Sequence, residues 1–137
     1  MHLNQVFASA AVGAVVLTSS VGCSGPAEQP LAEWTATVME PALLDLADTA
    51  GSAQEAVAAG GGVERACADL AAAVDRARTA PRPADAMATE AWLTAVATGA
   101  ELVEFCRSGD DASFEAAVPV LSVQLEEVWL VSRGAGG

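Results

Sequence analysis

In "VERACADLAAAVDRARTA", Val63 to Ala80, apolar residues recur at steps of three and four: Val63, Cys67, Leu70, Val74 and Ala77. This is the spacing of one buried face of a helix, with arginines and carboxylates filling the other sides. The stretch also carries its own boundaries. Gly60, Gly61 and Gly62 precede it, and three glycines inside a helix would cost roughly 3 kcal/mol, so they read as a turn. Pro81 and Pro83 follow it and cannot continue the hydrogen-bond ladder.

The same period extends outward in both directions. Downstream, "EAWLTAVATGAELVEFC" aligns Trp92, Val96, Gly99, Leu102 and Cys106, with a start near Thr89 rather than Pro83. "RSGDDA" breaks it and offers Asp110 or Asp111 as an N-cap. The last segment, "SFEAAVPVLSVQLEEVWLVSR", aligns Phe114, Val118, Leu121, Leu125 and Val128, with a kink expected at Pro119. Upstream, "LAEWTATVMEPALLDLADTA" places Leu31, Trp34, Val38, Ala42 and Leu46 on one face, with a kink at Pro41. Ser52 and Glu55 stand in capping-box spacing. No stretch has the period of two that marks a strand.

Four helices joined by short connections predict an all-α fold, an antiparallel up-down-up-down four-helix bundle over residues 31–133, with 134–137 as a flexible tail. Its core is thin, since roughly a quarter of the chain after residue 22 is alanine, which favours helix but buries little area per residue. In this topology Trp34, Trp92 and Trp129 gather at one end. They form either an aromatic-lined pocket or a plug of the core.

The front of the chain is different. "LNQVFASAAVGAVVLTSSVG" has no charged side chain, and its core from Val6 to Leu17 has the length of a secretory apolar region. It ends in Ser20-Val21-Gly22-Cys23, which resembles the lipobox of bacterial lipoproteins. The motif has Ser20 where such boxes usually carry an aliphatic residue, and no Lys or Arg precedes the apolar run. With its Ala-rich helical body, the chain is similar to small helical lipoproteins of actinobacterial type, a group with no assigned role. The resemblance implies a cleaved signal segment over 1–22, acylation of Cys23 (palmitate-type chains) and a linker over 23–30. It also implies an extracytoplasmic protein held to the membrane of the cell envelope by its lipid.

Export then bears on the other sulfurs. An acylated Cys23 has no thiol to offer, so Cys67 and Cys106 are the natural disulfide pair in an oxidising compartment, two buried free thiols being the other reading. The linker "SGPAEQP" spans at most about 25 Å, which would hold the tryptophan end close to the membrane.

Charge and missing residue types restrict function. Six arginines oppose eighteen carboxylates, a net charge of -12, and every charged side chain follows Cys23. Repulsion therefore disfavours nucleic acid and anionic lipid headgroups as direct partners. The chain has no lysine, and its one histidine is His2. Ser/His, Cys/His and Ser/Lys nucleophilic machinery is unavailable after the signal segment, as is a zinc site with histidine ligands. Asp45 with Asp48, Glu101 with Glu104, and Glu126 with Glu127 read as solvated helix faces, and Gly60 to Gly62 lack a P-loop continuation. No catalytic or metal-binding residue and no cofactor is assigned. The expectation is a non-catalytic module that binds an envelope protein. A carrier or sensor of a small apolar ligand, seated between helices splayed at Pro41 and Pro119, is the alternative.

Overall fold

The computed structural model describes residues 28–136, and the expected signal segment over 1–22, Cys23 and the first part of the expected linker lie outside them. The described chain is all-α, built from four helices that pack into a bundle. Helix α1 covers residues 31–59 as an α-helical turn Leu31–Trp34, a π-helical turn Thr35–Met39 and a long α-helical stretch Glu40–Ala59. Helices α2 (Val63–Thr79), α3 (Ala86–Ser108) and α4 (Asp111–Gly136) follow. Each packs on its predecessor, and α4 returns against α1. Two short extended pieces, β1 (Glu28–Gln29) and β2 (Arg82–Pro83), pair in parallel.

The π turn follows from Pro41. A proline inside an α-helix lacks the N–H that would bond four residues back, and its ring crowds that carbonyl. Here the ladder widens just upstream, with the Glu40 N–H donating to the Thr35 carbonyl, five residues back. One extra residue enters the helix, so the buried positions step by five from Trp34 to Met39, both wholly enclosed. Beyond it the ordinary steps resume through Leu46, Ala50 and Ala53. Val38 and Ala42, expected on the core face, are instead only partly buried. The helix passes through Gly51 and Ser52 without a break, so Ser52 caps nothing and is exposed.

The remaining boundaries are local. Gly60 and Gly62 take left-handed backbone angles, φ 72° and 71°, and close α1 into α2 as a turn. Ala80, which precedes Pro81, is extended and ends α2. The start of α3 is three residues earlier than the pattern suggested. Asp85 caps it, its carboxylate accepting from the Ala88 N–H at 2.9 Å. Asp110 caps α4 in the same way, from Ser113 N–H at 3.2 Å. α4 extends to Gly136, past the expected end of the bundle at Arg133.

The linker departs from expectation at its end. Glu28 and Gln29 lie beside Arg82 and Pro83, the Ala84 N–H donates to the Gln29 carbonyl at 2.7 Å, and the Trp34 indole N–H donates to the Pro81 carbonyl at 2.8 Å. A two-residue strand pair leaves no alternation to read in sequence. Its hydrogen bonds are main-chain contacts that any side chain permits.

The core contains Trp34, Met39, Leu46, Leu70, Trp92, Leu102, Phe114, Leu121 and Val128, with alanines between them. The alanines and Gly99 allow α2 and α3 to approach closely: a Cβ at Gly99 would stand 3.0 Å from Val74 Cγ2. Gly99→Leu is therefore expected to lower unfolding free energy by about 2 kcal/mol through overpacking. Gly51→Ala, whose added methyl meets nothing within 4 Å, is expected to raise it by about 0.5–1 kcal/mol. Urea titration followed by far-UV circular dichroism reads both.

Candidate functional site

Cys67, early in α2, and Cys106, late in α3, are joined as a disulfide with their Cα atoms 5.7 Å apart. Both are on core faces and almost fully buried, so the bond is part of the packing rather than an exposed redox group.

The three tryptophans do not form one cluster. Trp34 and Trp92 meet edge to face, ring centroids 5.4 Å apart, and both are enclosed. Trp129 is 37% exposed. Its neighbour Val128 takes the core position, and the next residue along a helix is turned about 100° away. Trp129 instead carries the Arg133 guanidinium 4.1 Å above its ring, and Arg133 pairs with Glu40 of α1. The three side chains form a strap from α4 to α1 on the outside of the bundle. Spacing alone contained half of this, since Trp129 and Arg133 are four apart. Glu40 enters through the return of α4 against α1.

The enclosed pair of rings is a plug of the core, and the aromatic pocket expected as the other option is not found at Trp34 and Trp92. Open hollows exist on the surface, one of about 800 Å³ lined by Glu28, Pro83, Asp85, Thr89, Leu93 and Ala97. No tryptophan lines it. A second, of about 400 Å³, lies beside Pro41 between α1 and α2.

The carboxylate pairs fall on the surface. Asp45 turns toward α2 and accepts from Arg76 at 2.8 Å, whereas Asp48, three residues on, is exposed. Glu101, Glu104, Glu126 and Glu127 are all exposed. Among the described residues, no group of three or more His, Cys, Asp or Glu side chains is placed to hold a metal ion, and no helix is long and apolar enough to cross a membrane.

Sequence reasoning passed over the outside of α4. Val120, Val123 and Leu130 are 48%, 64% and 61% exposed, on a helix whose opposite side is core. Leu44 of α1 is 61% exposed as well. Comparison of the chain with known protein families, with curated proteins and with solved structures finds no match.

Proposed function

We propose that the chain is a lipid-anchored, extracytoplasmic, non-catalytic module that presents a helical bundle to an envelope protein. The observation that carries this reading is the use of its cysteines. Cys67 and Cys106 satisfy each other, which suits an oxidising compartment and leaves Cys23 over. Cys23 stands where an uncharged apolar run meets a polar linker, the position at which a lipobox cysteine is acylated. Dual acylation gives a firm anchor where one chain gives a reversible one.

In this reading residues 1–22 are removed and the helices run antiparallel, up-down-up-down. Connections of three residues or fewer at Gly60–Gly62 and at 109–110 support that topology, as does the bond between the beginning of α2 and the end of α3. Because Glu28 is fastened to Arg82, the free tether is only the five steps from Cys23 to Glu28, at most about 17 Å. That holds the connection between α2 and α3 next to the membrane and turns the Gly60–Gly62 end away from it.

The test is metabolic labelling with an alkyne fatty acid, followed by fractionation. The wild-type chain takes up label and sediments with membranes. Cys23→Ser takes up none and is found in the soluble fraction. Equal labelling of the two, or none in either, removes the anchor from the proposal.

A further inference from the structure

Helix α4 is apolar on two opposite sides. Phe114, Leu121, Leu125 and Val128 form its core face. At about 100° per residue, Ala116, Pro119, Val123 and Leu130 fall within a sector of about 60° on the far side, and all four are exposed. Glu115 and Glu126 flank this second stripe on the edge toward Trp129 and Arg133, and Glu127 flanks the other. We propose that the outer stripe of α4 is a docking face for a basic amphipathic helix of a partner protein, a proposal that rests on the partner-binding reading above.

Three observations select that occupant. The stripe has i, i+3, i+7 and i+14 spacing along about 21 Å of helix, which matches the anchor positions of a helix laid alongside it. Charge is unevenly divided over the bundle. α1 and α4 carry nine carboxylates against the single guanidinium of Arg133, whereas α2 and α3 carry six against four. Arg133 is itself committed to Glu40. The apolar stripe therefore lies on the most acidic side of the molecule, where a cationic partner gains from long-range attraction as well as burial. A second copy of the chain, or an anionic bilayer, would bring like charges against Glu115, Glu126 and Glu127, which disfavours both.

The test is fluorescence anisotropy of a dye-labelled Leu/Lys amphipathic helical peptide titrated with the full chain, with Leu/Gln and Leu/Glu peptides of the same pattern as comparators. The Leu/Lys peptide is expected to bind most tightly, with affinity falling as salt rises. Val123→Ser with Leu130→Ser is expected to weaken it about tenfold while leaving the melting curve in place, because both side chains are exposed. Glu126→Gln with Glu127→Gln is expected to flatten the salt dependence. Glu101→Gln with Glu104→Gln on α3 is expected to leave affinity within about twofold. Equal weakening by the α3 pair would reduce the effect to net charge and overturn the docking face. Equal binding of the Leu/Gln peptide, no binding of the Leu/Lys peptide, or a dimer in sedimentation that Leu130→Ser dissociates would overturn it too. Fatty-acid labelling of Cys23 is independent of every one of these outcomes, so failure of the docking face and failure of the anchor are separately visible.

Discussion

Replacing Cys67 and Cys106 together by alanine is expected to cost about 4 kcal/mol of unfolding free energy. The bond joins residues 39 positions apart, and on the chain-entropy account a loop of that length restricts the unfolded ensemble by about that amount. For a body of this size the loss is a large part of the whole. A 4 kcal/mol loss corresponds to a fall in melting temperature of roughly 15 °C or more. Circular dichroism at 222 nm, with and without reductant, measures it. Reductant is expected to move the wild type toward the double variant and leave the variant unchanged. A wild type indifferent to reductant, melting with the variant, would show that the thiols are not joined in the native protein.

Trp34→Ala is the second large effect, at about 3–5 kcal/mol. The side chain is wholly buried, stands edge-on to Trp92 and donates its indole N–H to Pro81, so one substitution opens a cavity, removes an aromatic pair and strands a carbonyl. Trp34→Phe keeps most of the filling but loses the donor, and a smaller loss of about 1–2 kcal/mol is expected. Trp129→Phe provides the contrast. That ring is more than a third exposed, and its replacement is expected to shift stability by about 0.5 kcal/mol or less while removing most of the acrylamide-quenchable fluorescence. If Trp129→Phe destabilised the protein as much as Trp34→Ala, the placement of Trp129 outside the core would be wrong.

The three indoles show what the sequence could convey. Periodicity located each helix and put Trp34 and Trp92 on core faces, because a buried stripe leaves a regular trace. It also put Val128 in the core of α4, and with it the outward turn of Trp129, but proximity to one end of the bundle was read as membership of the cluster. The π turn left no such trace. An inserted residue looks the same in sequence as a slightly irregular helix, and Met39 was missed for that reason. Ser52 and Glu55 matched a cap by spacing, but capping requires non-helical backbone at the first residue, and nothing upstream interrupts α1. Asp85 was legible in principle, three residues before Ala88 and just after two prolines. The β1–β2 pair was not, because main-chain hydrogen bonds impose no side-chain pattern. The outer stripe of α4 was visible as extra apolar residues, yet a pattern search that seeks one face assigns them to noise.

The fastening of Glu28 and Gln29 to the connection between α2 and α3 also sets how the protein answers to mechanical pull. Tension on the chain upstream of Glu28 reaches the strand pair before it reaches the first turn of α1, and that turn is itself held to Pro81 by the Trp34 indole. Residues 82–83 lie inside the ring closed by Cys67 and Cys106, whose covalent perimeter cannot lengthen by unravelling at that bond. A load applied at the front of the chain is thus passed sideways into the disulfide-linked pair of α2 and α3, and α1 is spared from being peeled off end first.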